Sequence, residues 1–164
     1  GIRILADIVE ELKQRIRSPL AFLLAGVEPG YLAIEDRVKV VKTGLIKDDK
    51  ELVKCYNACD AYLSLTKADN LPNSLIEAAS CGLPIISFDS GGCREAVLDK
   101  ESGYIASGNK EIIEALAKIL NDLAIQESFS AKARAFAQNN FSMQKQVDAY
   151  VRLTEGLLKA RGFN

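Results

Sequence analysis

Two acidic side chains flank a helix start in the middle of this chain. Asp69 and Glu77 are separated by seven residues in the run Thr66-Lys67-Ala68-Asp69-Asn70-Leu71-Pro72-Asn73-Ser74-Leu75-Ile76-Glu77. Proline suits the first turn of a helix, because its missing N–H would be an orphan donor there anyway. The N–H groups of Asn73, Ser74 and Leu75 are then expected to point out of the helix start. Open N–H groups at that end bind anions, and phosphate fits them. Ser74 adds a hydroxyl donor. Glu77 shares a helix face with Asn73 and Ser74, at i+4 and i+3. A carboxylate there repels phosphate but accepts hydrogen bonds from vicinal hydroxyls, as the acidic residue of dinucleotide folds does from a ribose. Asp69, in the loop, is free to accept from a second sugar-like group. Spacing alone reads equally well with Glu77 as a solvated helix residue and Asp69 as a turn or cap acid.

A second segment, Asp89-Ser90-Gly91-Gly92-Cys93-Arg94-Glu95, joins a strand to a helix. Paired glycines there let the backbone approach a ligand closely and expose N–H groups to a phosphate or sugar oxygen. Turns use such pairs widely, and Glu95 is also read as an acid favouring a helix N-terminus. Gly44, after an earlier strand, is a weaker signal of the same kind. Residues 55–110 hold four basic groups against seven acidic ones. An anion bound there must rely on backbone N–H groups or on charge from elsewhere. Lys67 and Arg94 are read as solvated surface.

These segments must be positioned by a folded scaffold. Ile4, Leu5, Ile8, Val9, Leu12 and Ile16 recur at helical spacing and predict a helix over 2–17. LAFLLA at 20–25 reads as a buried parallel strand, followed by a loop over 26–36 and a strand over 38–43. A helix over 48–59, with Leu52, Val53 and Tyr56 inward, precedes a strand over 61–65. Then come a helix over 72–80, a strand over 84–88, a short helix from Gly91-Gly92 to Val97 and a strand over 103–106. The remainder predicts three helices. Ile112, Leu116, Ile119, Leu120 and Leu123 stripe the first, and the second covers 128–139. The third is capped by Ser142, with Met143, Val147, Tyr150, Val151 and Leu158 on its inner face. Alternating strands and helices imply an α/β, Rossmann-like parallel sheet covered on both faces. Ligands then bind beyond the carboxyl ends of the strands, around Gly44–Lys47, Thr66–Pro72 and Asp89–Gly92.

The chain has 164 residues, 48% hydrophobic and 26% charged, which suits one globular domain and excludes disordered and fibrous classes. Its 21 basic and 22 acidic groups nearly cancel, against nucleic-acid binding by bulk charge. No apolar run approaches the ~18 residues of a membrane-spanning helix, and no signal peptide is read at the start. Cys55, Cys59, Cys81 and Cys93 are expected to be free, mostly buried thiols of a reducing cytoplasm; with no histidine, zinc is disfavoured.

The text DNLPNSLIEAASCGLPIISFDSGGCREAV followed by SGYIA resembles the retaining glycosyltransferases of the large family 4 group. The spacing of helix, Cys81-Gly82-x-Pro84, apolar strand and Gly91-Gly92-x-x-Glu95 is highly specific. The resemblance is strong over 38–106. It implies a GT-B architecture, of which this chain is the C-terminal, donor-binding domain over 1–164, part of a two-domain enzyme. The family signature is two glutamates separated by seven residues. Glu77 matches the second and is implied to bond the donor ribose. Asp69 falls on the first, one methylene shorter, and is implied to contact the transferred sugar. By the same resemblance, backbone groups of Asn70, Leu71 and Pro72 line the sugar, Ser74 and Leu75 lie near diphosphate and ribose, and Gly44-Leu45 meets the base.

The implied donor is a UDP-, GDP- or ADP-sugar, with no metal or other cofactor required, in glycoconjugate or polysaccharide assembly. The family's diphosphate-neutralising arginine and lysine, and its central first strand, are expected to lie before Gly1, which leaves this sheet incomplete. The N-terminal acceptor domain is the expected partner, and without it no turnover is expected. A cytoplasmic location follows, with peripheral contact at the inner face of the membrane open through that other domain. Alternatives are a degenerate nucleotide-binding module, a GT-B sugar-nucleotide epimerase and a flavodoxin-like domain.

Overall fold

A computed structural model of the chain describes residues 2–26 and 34–162. The elements are α1 (Ile2–Arg15), β1 (Ala21–Ala25), β2 (Lys39–Gly44), α2 (Asp49–Asn57), β3 (Tyr62–Ser64), α3 (Asn73–Ser80), β4 (Ile85–Phe88), α4 (Cys93–Ala96), β5 (Gly103–Ala106), α5 (Asn109–Asn121), α6 (Leu123–Asn140) and α7 (Met143–Ala160). Every strand pairing among them is parallel.

β4 shows why the layers form. All four of its residues are buried, as expected of a strand covered on both faces. Successive side chains point to opposite faces. Ile86 and Phe88 join the core that holds Leu5, Ile8 and Leu12 of α1 with Ile112, Leu116 and Ile119 of α5. Ile85 joins the opposite core, with Leu75 and Ala79 of α3, Cys93 and Ala96 of α4, and Ala133 and Ala137 of α6. The α1 and α5 stripes thus meet over one face, and α3 packs on α6 over the other.

The strands fall into two hydrogen-bonded groups, β1-β2 and β3-β4-β5, rather than one continuous sheet. Between them lies a cavity of about 1070 Å³ lined by Ala21–Ala25 of β1, Tyr62 and Leu63 of β3, and Leu5, Ile16, Leu116 and Leu120. Among the described residues β1 and β3 each have one paired neighbour, so each keeps an unpaired edge. The strand expected to be buried at 20–25 is instead half-buried to exposed, because it lines this cavity.

Several boundaries differ from the periodicity reading. α6 starts at Leu123 rather than 128, because the Asp122 carboxylate caps it, accepting the Ile125 N–H at 3.1 Å. Leu123 leaves the α5 stripe and is exposed. α4 begins at Cys93, after the two glycines instead of with them. Val53 of α2 is exposed, while Leu52 and Tyr56 are half-buried. Cys93 alone of the cysteines is buried; Cys55, Cys59 and Cys81 are half-buried, and all four are free. Ser142 caps α7 as expected. The supposed inner face of α7 is nevertheless open: Met143, Val147, Tyr150, Val151 and Leu158 are all exposed, because no described element packs over this helix. Of the expected loop over 26–36, residues 27–33 lie outside the described residues, and 34–37 form a turn.

Ile86 is fully buried at the centre of the paired strands. Ile86→Ala is expected to cost about 2–5 kcal/mol of stability through lost burial and the cavity left behind, read as a lower midpoint in urea unfolding followed by circular dichroism.

Candidate functional site

The loop after β3 and the loop after β4 form one unit at the carboxyl ends of their strands. The Gly92 N–H donates to the Asn70 carbonyl. The Ser90 hydroxyl donates to the Thr66 carbonyl at 2.9 Å. The contact leaves no room for a side chain on the second loop. A Cβ on Gly91 would sit 1.6 Å from the Asp69 carbonyl oxygen, and one on Gly92 2.1 Å from that of Asn70. Gly91 also has a φ of +51°, a backbone state that L side chains rarely adopt. The glycine pair is therefore a close-approach site, but what approaches is the backbone of Asp69 and Asn70. The Gly92 N–H, expected to face a ligand, is used inside the protein.

α3 starts immediately after this seam. Pro72 takes the N-cap position, with φ −63° and ψ 121°, and supplies no capping side chain. The Leu75 N–H bonds the Pro72 carbonyl at 3.0 Å, so it is not one of the outward donors the sequence reading expected. The tight first turn consumes it, as 3₁₀ bonds at helix ends do. The N–H groups of Asn73 and Ser74 make no hydrogen bond among the described residues. They remain the open donors at the helix start. Asn73 is exposed and Ser74 half-buried.

Glu77 lies one turn into α3 and is exposed. Its Oε2 accepts the Tyr56 hydroxyl at 2.8 Å, a contact between α2 and α3. Burial, then the hydrogen bond to Glu77, push the Tyr56 hydroxyl far above the ordinary phenol range. Burial also raises Tyr62. The two tyrosine rings pack at 6.0 Å between centroids, inclined by 56°. Sequence reasoning placed Tyr56 inward on α2 but not at the site, because its partner lies 21 residues away. Helical spacing gives no signal for such a pairing.

The structure thus brings Asp69, Asn70, Leu71 and Pro72, the α3 start and the Gly91-Gly92 turn into one region, with Glu77 one turn further along α3. Asp69 is exposed at the seam, with its backbone fixed and its side chain free of hydrogen bonds among the described residues. Gly44 and Leu45 follow β2, in the other strand group. Gly44 has a φ of +63° and its carbonyl accepts from the Gly26 N–H at 2.8 Å; Leu45 is 72% exposed. Neither hydrogen-bonds to the β3 or β4 loops.

Arg94 pairs with Asp89 across the turn. Its Nε and Nη2 donate to both Asp89 carboxylate oxygens, at 2.7 and 2.5 Å. That hydrogen bonding, with the guanidinium charge, holds the Asp89 carboxyl below its ordinary range. Among the described residues no three His, Cys, Asp or Glu side chains cluster so as to hold a metal ion. No helix among them is long and apolar enough to cross a membrane.

Two outcomes are expected here. Gly91→Ala should lower stability by about 1–3 kcal/mol, since the new Cβ must displace the Asp69 carbonyl, measured by urea unfolding. Arg94→Ala should return the Asp89 carboxyl upward to its ordinary range, read by NMR titration. A carboxyl depressed on folding stabilises above its unfolded value and loses that contribution as pH falls through the folded one. The acid side of the stability profile should therefore flatten in the variant.

The chain matches the family model described as "Glycosyl transferases group 1" over residues 1–122. It is 29% identical over 119 residues to the capsular polysaccharide biosynthesis glycosyltransferase CapM of Staphylococcus aureus, covering 71% of this chain and 30% of that protein. It is 31% identical over 121 residues to the putative colanic acid biosynthesis glycosyl transferase WcaC of Escherichia coli, covering 72% and 29%. The chain therefore spans about 30% of the length of these curated relatives. Among solved structures its fold is similar to sucrose-phosphate synthase from Thermosynechococcus elongatus, with TM-score 0.76, 20% identity, and 98% and 43% of the two chains covered. It is similar also to Anabaena HepE in complex with UDP-glucose, with TM-score 0.74, 19% identity, and 95% and 45% covered. The parallel strands flanked by helices are thus the Rossmann-like fold of GT-B glycosyltransferases. On the family match the chain belongs to the group 1 glycosyl transferases.

Proposed function

We propose that residues 1–164 are the C-terminal, donor-binding domain of a two-domain retaining glycosyltransferase of the family 4, GT-B type. Its donor is a UDP-, GDP- or ADP-sugar, and its product a polysaccharide or other glycoconjugate. The observation that carries this reading is one juxtaposition. The open Asn73 and Ser74 N–H groups and the Asp69 loop held by Gly91-Gly92 lie at the carboxyl ends of β3 and β4, and the Glu77 carboxylate follows one turn along α3. Family membership and the capsular and colanic acid relatives support the polysaccharide setting, and the UDP-glucose complex of HepE supports the donor class.

In this reading the diphosphate sits on the Asn73 and Ser74 N–H groups, where the helix end favours negative charge. Glu77 accepts hydrogen bonds from the ribose diol. Asp69 accepts from hydroxyls of the transferred sugar, whose far side rests on the Asn70–Pro72 backbone. Leu75 lines the diphosphate-ribose junction by position rather than as a donor. Gly91-Gly92 keeps the Asp69 loop in place rather than donating to the donor molecule. Gly44 and Leu45 take the base. The bond from the anomeric carbon to the diphosphate breaks, its electron pair leaving with the diphosphate, and an acceptor oxygen bonds that carbon on the same face, passing its proton to the departing diphosphate. The protein contributes positioning and stabilisation of the leaving diphosphate.

No resident metal enters this scheme, and Arg94, paired with Asp89, adds little charge to it. The acceptor domain supplies the other wall of the site, and turnover requires it. The enzyme works in the cytoplasm, with any contact to the inner face of the membrane made by that domain. A nucleotide-binding module without transferase activity is the second reading; the commitment of Arg94 to Asp89 is what favours it.

Calorimetric titration with UDP, GDP and ADP tests the reading, with Glu77→Ala as control. Saturable binding to one nucleotide is expected, weakened by about 1–3 kcal/mol in the control if Glu77 bonds the diol. An unchanged dissociation constant sinks that assignment. In the two-domain enzyme, Asp69→Ala should reduce turnover more than nucleotide affinity; equal losses would place Asp69 elsewhere.

A further inference from the structure

The Glu77 carboxylate is exposed, yet it is not free to wander. Among the described residues its one hydrogen-bond donor is the Tyr56 hydroxyl, 2.8 Å from Oε2. Tyr56 comes from the last turn of α2, while Glu77 lies on α3. The tyrosine is itself fixed. Its ring packs on Tyr62 of β3, a strand paired along its length to β4. No cation pairs with Glu77 among the described residues, so charge neutralisation does not explain the contact.

We propose that Tyr56 is a positioning residue for nucleotide recognition: its hydroxyl holds Glu77 through Oε2 and presents Oε1 to the diol of the bound ribose. The proposal rests on the reading of Glu77 as the ribose acceptor and adds the residue that orients it. A long acidic side chain at an exposed helix position samples several rotamers, and ordering it on binding subtracts from affinity. A donor already bonded to one oxygen transfers that ordering to the folding of the protein. Tyrosine suits the task, since its ring is rigid and its position is set by packing. Its hydroxyl stays protonated at neutral pH, because burial and the adjacent carboxylate both oppose ionisation. One carboxylate oxygen accepts more than one hydrogen bond, so Tyr56 does not compete with the diol.

A pin between α2 and α3 with no part in binding would show the same contact. The experiment separates the two. Dissociation constants are measured on the full chain, by calorimetry, for the nucleoside diphosphate that binds tightest among UDP, GDP and ADP and for its 2′-deoxy counterpart. The variants are Tyr56→Phe, Glu77→Ala and the double variant. Phenylalanine keeps the ring packing and removes only the hydroxyl. Tyr56→Phe is expected to weaken the ribonucleotide about three- to tenfold and to leave the deoxynucleotide within about twofold of wild type, narrowing the ribose-over-deoxyribose preference. In the Glu77→Ala background, Tyr56→Phe is expected to change nothing further. The preference is a ratio within each variant, so a general loss of folded protein cancels.

Equal weakening of both nucleotides by Tyr56→Phe, or the same weakening with Glu77 already removed, would overturn the proposal and leave Tyr56 as a helix pin. So would an unchanged preference in Tyr56→Phe where Glu77→Ala abolishes it. If Glu77→Ala itself leaves ribonucleotide affinity and preference intact, the underlying ribose assignment is what fails.

Discussion

The arrangement of this site depends on a backbone seam in which two loops approach more closely than side chains allow. The Gly92 N–H meets the Asn70 carbonyl, and the missing Cβ atoms of Gly91 and Gly92 are what admit the Asp69 and Asn70 carbonyls. The seam ties the end of β3 to the end of β4 beyond their shared ladder. It fixes where the 66–72 loop turns, and with it where Pro72 starts α3. Asp69 lies just before that start and Glu77 one turn after it. A larger residue at either glycine would move the loop and both carboxylates with it.

The seam stands on a scaffold whose own logic is simple. β4 feeds Ile85 to one core and Ile86 to the other, so each face of the strand group needs a helical cover. α1 and α5 supply one cover, and α3, α4 and α6 the other. α3 is at once a core element, through Leu75 and Ala79, and the carrier of the open N–H groups and Glu77. Packing on α6 therefore orients the functional helix start as a by-product of burying its apolar side.

Polar groups that are usually counted as available for ligands are partly spent inside the protein. The N–H groups of Gly92 and Leu75 both bond carbonyls of the same loop region. Arg94 is closed onto Asp89 by two hydrogen bonds. What is left is a small set, the Asn73 and Ser74 N–H groups and two acids, one of them held by Tyr56.

Much of this was legible in the amino-acid sequence. The helical spacing of Leu5, Ile8, Val9 and Leu12, the unbroken apolar run at 20–25 that holds β1, Pro72 before a helix and the acid pair at its set separation are local patterns. Local patterns register the 3.6- and 2-residue periods that backbone geometry imposes. The family match rests on the same text. Sequence spacing could not say which groups spend their hydrogen bonds on one another, because those partners lie far apart along the chain. Tyr56 pairs with a residue 21 positions on, and Ser90 with one 24 positions back. Nor could periodicity show that the apolar stripe of α7 has no described element over it, since a stripe reports one helix face and not what covers it. The gap between β1 and β3 is likewise decided only in three dimensions, where the strand edges either find a partner or do not. Residue types and spacing determined the elements and the chemistry they carry; tertiary contact decided which of those groups remain free to use it.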